Sequence, residues 1–393
     1  EKIDLPKENK IEKELAMEIP QEIKSAMKIL QKRGFEVFAV GGCVRDSLIG
    51  RKPGDWDLTG NAKPEDIQKI FPKNFYENNF GTTTIMTGSE DKILAEIEYT
   101  PFRKEGKYTD KRHPDEVVWA KTLEEDLARR DFTVNALALS AVEGIAPKII
   151  DLFDGQKDLK KKLIRTVGEP NERFNEDALR LMRAPRFAVQ LDFEIEEKTK
   201  KAIIENSEWL RAISKERIRD ELVKILMTEK ATDGILMLRE LGLLKYIMPE
   251  VEEGWGVTQN KHHAFTVFDH NVLSLNFAAK ENYNLEVRLA ALLHDVGKPR
   301  TKTGEGPESH FYGHDHLSAK MAAQIMERLK FPRESIVKVI KLIRTHMFKY
   351  NTNPELDDVT TDAAVRRIIR RVGGEENIWD LAKLRLADRA GSG

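Results

Sequence analysis

The sequence predicts an α+β protein in which a small mixed-sheet head is followed by an extended all-helical neck and body. Short runs rich in Val, Ile and Thr (35–40, 82–86, 93–99 and 148–152) alternate with helical stretches up to about residue 150, as in a small sheet flanked by helices. Beyond 163–167 the strand signals stop, and apolar residues recur at helical spacing. A polar, Gly-containing interruption at 251–260 then precedes eight of the nine histidines, which fall between His262 and His346.

Taken in order, residues 1–34 form a charged lead-in and an amphipathic helix, with Ile23, Met27 and Leu30 on one face and Gly34 as its stop. Residues 35–163 make the head. The windows 175–190, 196–204, 214–228 and 231–241 read as helices of a neck spanning 164–250, and 251–393 as a helical body. No repeat of the length used by solenoids is apparent.

Composition narrows the function classes. At 393 residues the chain is too long for one small binding module. Hydrophobic residues at 40% and charged residues at 33% suit packed cores and exclude a largely disordered chain. No apolar run approaches the ~20 residues of a membrane span, so no membrane partner is expected. Lys plus Arg number 65 against 66 Asp plus Glu, so a polyanion must be met by a local patch. Cys43 is the single cysteine, which fits a reducing cytoplasm.

The first chemical constellation lies in the head. Gly41-Gly42 follows a strand-like run, where glycines let the backbone turn sharply and bring N–H groups against a polyphosphate. Alone, a Gly-Gly pair is more often a plain turn. Ten residues beyond Arg45 comes Asp55-Trp56-Asp57-Leu58, and side chains two apart on a strand share a face. Paired carboxylates repel, a cost that a divalent cation offsets, and hard oxygen ligands suit magnesium held together with phosphates. Glu96 and Glu98 share a face of a second strand, and Glu98 is the preferred third ligand. Three such carboxylates hold two metals ~3.5–4 Å apart, an arrangement for nucleotidyl transfer.

Gly41-Gly42-Cys43-Val44-Arg45-Asp46, Asp55-Trp56-Asp57, Arg129-Arg130-Asp131-Phe132-Thr133-Val134-Asn135-Ala136 and Asp154-Gly155-Gln156-Lys157-Asp158-Leu159 resemble, in order and spacing, the head of class II tRNA nucleotidyltransferases. This family comprises the CCA-adding enzymes and the bacterial poly(A) polymerases, and the resemblance runs from about residue 35 to 390. It implies that Asp55 and Asp57 hold the catalytic magnesium, that Gly42 and Arg45 contact a triphosphate, and that Arg130 lies beside the nucleotide.

In that family a neck motif, Glu-Asp-x-x-Arg, selects the base, and Glu176-Asp177-Ala178-Leu179-Arg180 matches it. Three apart on a helix, Asp177 and Arg180 would present an acceptor and a donor side by side. Cytosine and adenine offer an amino donor beside a ring-nitrogen acceptor; uracil and guanine would oppose a carbonyl to Asp177. Arg183 and Arg186 match further family positions at the nucleotide. Pro185, where the family generally has an aliphatic residue, is expected to kink the helix or remove the bond to Leu181. The segment 108–117, with Asp110 and Arg112, resembles the family's flexible loop, which CC-adding members lack.

A second constellation is His294-Asp295 after an apolar run, with His270, His346 and Asp388 on flanking helical segments. Nitrogen and oxygen donors of this kind suit a transition metal. The set resembles the HD phosphohydrolase domain, which implies a second divalent metal on His270, His294, Asp295 and Asp388; His263, His314, His316 and His346 would extend it to two ions. Arg366, Arg367, Arg370 and Arg371, with Lys160, Lys161 and Lys162, form candidate phosphate contacts.

The expectation is thus a template-independent enzyme adding the 3′-terminal CCA of tRNA from CTP and ATP. An A-adding enzyme or a poly(A) polymerase shares its chemistry. From other classes, an HD-type phosphohydrolase acting on RNA ends and a non-catalytic RNA-binding protein compete. The chain ends where relatives usually continue into a tRNA-binding tail, and oligomeric state is not encoded in any motif.

Overall fold

The computed structural model describes residues 18–77, 81–104, 118–260, 264–348 and 361–392. The expected flexible loop at 108–117 and His263 lie outside the described residues. The chain divides into two compact units: the head up to Lys161 together with Arg165–Val167, and a second unit of Lys162–Ile164 and everything from Gly168 onward.

In the head, β1 (Val37–Val40), β2 (Asp57–Gly60), β3 (Asn74–Glu77), β4 (Thr82–Met86) and β5 (Glu96–Pro101) are followed by the short pair β6 (Arg103–Lys104) and β7 (Val118–Trp119), then β8 (Leu137–Ser140) and β9 (Lys148–Asp151). Seven of these form one mixed sheet in the order β3-β4-β5-β2-β1-β8-β9. Only the β2–β5 pair within it is parallel. The lead-in helix α1 (Gln21–Lys32) buries Ile23, Ala26, Met27 and Leu30 and belongs to the head's core. The remaining head helices are α2 (Gly42–Leu48), α3 (Pro64–Ile70), α4 (Leu123–Ala128) and α5 (Gly155–Lys161).

Several strands depart from the sequence reading, among them the unread β3, β6 and β7. β5 starts at Glu96 because Asp91–Leu94 close a turn, with Ile93 donating to the Asp91 side chain at 2.9 Å and Leu94 to its carbonyl. The inner strand β8 went unread because Leu137, Ala138 and Leu139 are all buried, and a strand covered on both faces shows no alternation.

The second unit is helical apart from β10 (Leu163–Ile164) pairing in parallel with β11 (Glu194–Ile195) among the described residues. Its helices are α6 (Pro170–Glu176), α7 (Arg180–Leu191), α8 (Glu197–Glu205), α9 (Lys215–Leu226), α10 (Ala231–Glu240), α11 (Leu244–Ile247) and α12 (Pro249–Glu252). There follow α13 (Val267–Lys280), α14 (Leu285–Leu293), α15 (Lys298–Thr301), α16 (His314–Arg328), α17 (Arg333–Thr345), α18 (Asp362–Val372) and α19 (Glu375–Gly391). Gly391 allows α19 to lie close on α13, since a Cβ there would meet Ser274 Oγ at 2.3 Å and the His270 carbonyl at 2.7 Å. That approach carries Asp388 to His270. Among the described residues no helix is long and apolar enough to cross a membrane.

Candidate active site

The parallel pairing of β2 with β5 sets Asp57 directly beside Glu98, and on its other side Asp57 faces Val40 at the end of β1. Asp55 precedes the strand rather than lying in it, yet the alternation of a strand persists: Trp56 is buried, and Asp55 and Asp57 are the more open residues on either side. Burial raises the Asp57 carboxyl to about 7, helped by the charges of Asp55 and Glu98 and opposed by Arg130. Three acids crowded so that one resists ionisation are a fit for a divalent cation, which restores the charge balance. Glu96 pairs with Met86 at the strand's start, a two-residue step away from Asp57. Cys43, beside this site in sequence, is buried and its thiol is pushed up to about 12, chiefly by that burial, so it has no thiolate chemistry near neutral pH.

Gly41 adopts φ +78°, and a Cβ there would meet Arg130 Nη1 at 2.9 Å, so both conformation and space call for glycine. Gly42 opens α2, and Arg45 on that helix is buried, donating to Asn135 Oδ1 at 2.6 Å and to Asp46 Oδ1 at 2.8 Å. Asn135 in turn donates to Asp131 at 3.1 Å. Arg130 donates to Asp126 at 3.2 Å and Arg129 does so at 2.7 Å. Burial alone would raise the Asp126 carboxyl, but Arg129 and Arg130 outweigh it and hold it low. Asp126 is therefore the buried anion that positions Arg130. The sequence reading missed it, although its spacing of three and four residues from the two arginines on a helical segment was a usable signal.

In the neck the expected side-by-side presentation of Asp177 and Arg180 on one helix is corrected. The helix ends at Glu176, Asp177 is extended at φ −141° and ψ 103°, and a new helix begins at Arg180. Asp177 itself makes the break: its Oδ1 accepts from the Leu179 N–H at 3.0 Å, the local bond with which Asp competes against helix. Its Oδ2 lies 2.7 Å from Arg217, a residue the sequence reading did not single out. Arg180 spans the break, donating to the Arg173 carbonyl at 3.0 Å and to Glu176 at 2.5 Å. Arg183 lies 5.3 Å from the Phe187 ring centre. Arg186 is buried, 2.7 Å from Glu221, with its guanidinium 3.9 Å over Phe187. α7 runs through Pro185 without a break, and Pro185 has no N–H to donate to the Leu181 carbonyl.

In the body, α13, the end of α14 and α19 bring four of the predicted residues together. His270 Nε2 is 2.9 Å from His294 Nε2, and 3.3 Å from both Asp295 and Asp388. His314 Nε2 and His346 Nε2 approach the other Asp295 oxygen at 3.3 and 3.9 Å. His294, His314 and His346 each turn Nδ1 to a backbone carbonyl, of Ala291, Phe311 and Ile343. Donation there leaves each Nε2 as a lone pair aimed inward, the tautomer of a metal ligand. Two ligand groups result, His270-His294-Asp295 and Asp295-His314-His346, sharing Asp295. His316 does not join them; two residues on from His314 around the helix, it is exposed and pairs with Asp315.

Electrostatics agree with a cation site. Asp295 Oδ1 and His314 Nε2 are buried without a hydrogen-bond partner among the described residues. Burial opposes protonation of His270, but hydrogen bonds to Asp295 and Asp388 raise it to about 9, a proton balancing carboxylates that a metal would otherwise balance. Burial and the neighbouring His294 lower His346 to about 4. Burial would raise Asp295 as well, yet Lys298, 2.6 Å away, and His294 hold it well below the usual carboxylate range.

Comparison with known proteins follows this geometry. Residues 37–165 match the poly A polymerase head domain, 192–254 the probable RNA and SrmB-binding site of polymerase A, and 267–390 the HD domain. The CCA-adding enzyme of Lactococcus lactis subsp. cremoris is 48% identical over 233 residues, 58% of this chain and 56% of that protein. That of Enterococcus faecalis is 45% identical over 242 residues, 61% and 58% of the two chains. The chain thus spans little more than half the length of the curated relatives it matches. Among solved structures, the Bacillus stearothermophilus CCA-adding enzyme in complex with CTP aligns with TM-score 0.67 and 27% identity over 94% of this chain and 78% of that one. A Thermotoga maritima CCA-adding enzyme complexed with tRNA shares the fold, with TM-score 0.61 and 22% identity over 95% and 80% of the two chains. Matched in order, a poly A polymerase head domain, an RNA-binding segment of polymerase A and an HD domain cover most of the chain, which is thus similar in domain order to the CCA-adding enzymes of the class II tRNA nucleotidyltransferase family.

Proposed function

We propose that this protein builds or repairs the 3′-terminal CCA of tRNA from CTP and ATP, without a nucleic-acid template. The juxtaposition of Asp57 with Glu98 across two parallel strands, with Asp55 two residues away, carries the reading. Asp55, Asp57 and Glu98 would hold magnesium, which when bound activates the attacking hydroxyl and stabilises the leaving pyrophosphate. Gly42 and Arg45 hold the triphosphate, Asn135 fixes the Arg45 guanidinium, and Asp126 fixes Arg130 beside the nucleotide. The tRNA 3′ oxygen forms a bond to the α-phosphorus, the bond from that phosphorus to the bridging oxygen breaks, the hydroxyl proton is lost and pyrophosphate departs. Asp177 and Arg180, with Arg183 and Arg186, take part in choosing cytosine and adenine. Arg217 orients Asp177, and the exposed Arg366, Arg367, Arg370 and Arg371 of α18 offer a basic face for tRNA phosphates. One buried cysteine fits work in the cytoplasm.

The test is extension, at nucleotide resolution, of three tRNA transcripts ending before the CCA, after its second C, and after its A, with CTP, ATP or both. Addition of CCA to the shortest followed by arrest supports the proposal. Addition of A only to the CC end indicates an A-adding enzyme, and long A tails indicate a poly(A) polymerase.

A second activity is favoured by the two ligand groups that share Asp295: hydrolysis of a phosphate ester at the HD-type site, with His270, His294, Asp295 and Asp388 holding one divalent metal and His314 and His346 available to a second.

A further inference from the structure

The cavity in front of the His-Asp cluster has a mouth to which neither reading assigns a role. Its volume is about 440 Å³, and Asp295, His314 and His346 line its floor. Three cations also line it: Lys298, Arg385 and Arg389. Lys298 is buried, held between Asp295 at 2.6 Å and Gln259 at 2.7 Å, while Arg385 lies 2.8 Å from Asp388. Arg389 is exposed and makes no ion pair with a described residue. Cations above a floor of metal-ligating groups form a phosphate environment.

The mouth is built by three consecutive residues. His310 exchanges two backbone hydrogen bonds of 2.9 Å with Thr303, which pins the loop. Phe311 turns inward, 8% exposed, with Lys298 Nζ 5.5 Å from its ring centre. Alternation then turns Tyr312 outward on the side of His310, and it is 77% exposed. The two outer rings stack with centroids 5.3 Å apart and planes at 16°. A single exposed tyrosine needs no explanation. A parallel pair on a backbone-pinned segment lining a cationic cavity is different, because it offers a flat π face beside a phosphate site.

We infer that His310 and Tyr312 form a stacking platform for a nucleobase, so that this cavity takes a nucleotide with its phosphate at the floor and its base at the mouth. Every base has a π face, so the platform favours nucleotides over inorganic phosphate, pyrophosphate or a sugar phosphate without dictating sequence. A free nucleotide and the phosphorylated end of an RNA strand present the same chemistry. The inference rests on the phosphohydrolase reading only in placing phosphate at the floor.

The test is calorimetric binding to the full chain carrying Asp55→Ala and Asp57→Ala, which disables the head site. The probes are AMP, a short oligoribonucleotide with a 3′-terminal phosphate, and inorganic phosphate. Adding Tyr312→Ala is expected to weaken AMP, the oligoribonucleotide or both about tenfold or more while leaving inorganic phosphate unchanged. The larger loss names the source, and Tyr312→Phe keeps the affinity. Lys298→Met is expected to weaken all three probes. If Lys298→Met weakens them but Tyr312→Ala weakens neither nucleotide probe, the platform is overturned and the phosphate floor stands. If Lys298→Met weakens none, the phosphate floor falls and the platform with it.

Discussion

At Asp57 the fold works against the charge of its own residue. Burial, with Asp55 and Glu98 adding to it, lifts this carboxyl from 3.8 to about 7, so between those values the unfolded chain ionises a group that the folded chain keeps protonated. Its contribution to the stability of the metal-free protein is therefore fully present below about pH 4 and lost as pH rises through about 7. A divalent cation selects the ionised form, so proton and cation compete. Thermal unfolding in magnesium and in chelator should show a larger cation-induced rise in Tm at pH 8 than at pH 6. Asp57→Asn should remove most of that difference, leaving what the HD-type site contributes. A rise of equal size at both pH values would contradict the assignment. The Asp-Trp-Asp spacing made the two aspartates legible in the sequence. The place of Asp57 beside Glu98 depends on a strand pairing across some forty residues, which local spacing does not encode. Asp177 shows the opposite failure, since helical periodicity hid a residue whose own side chain ends the helix.

Among the elements, α14 shows how one buried charged residue organises a mostly apolar helix. Arg288, 1% exposed in an otherwise apolar stretch, donates to the carbonyls of Leu226 and Thr228 at 2.7 and 2.8 Å and of Tyr283 at 2.7 Å, and reaches Ala279 and Asn282 at 3.4 and 3.2 Å. It thereby satisfies the Leu226 carbonyl at the end of α9 and the Thr228 and Tyr283 carbonyls just beyond α9 and α13, and its burial lowers its own pKa. Arg288→Met keeps much of the stem but orphans several buried acceptors. It should cost on the order of 3 kcal/mol in chemical denaturation, and a cost near zero would count against this role. The helices themselves were legible from periodicity. The staple was not, because a lone arginine in a helical pattern reads as a solvated position until its partners are known.

For the whole molecule, the passage from mixed sheet to helices was visible in the sequence because strand-like runs stop abruptly, and the structure has that order. The lead-in helix looked separable but is core, since its apolar face has the head sheet to cover. Two chemistries occupy the two units, carboxylates on the head sheet and a histidine-aspartate cluster among α13, α14, α16, α17 and α19. The central claim is that nucleotidyl transfer belongs to the first of them. Its most direct measurement is the rate of CMP and AMP incorporation into tRNA lacking its CCA end, by the parent protein, Asp57→Ala and His294→Ala. The account predicts a loss of at least about 10²-fold in Asp57→Ala and continued incorporation in His294→Ala; incorporation that survives in Asp57→Ala and disappears in His294→Ala would contradict it.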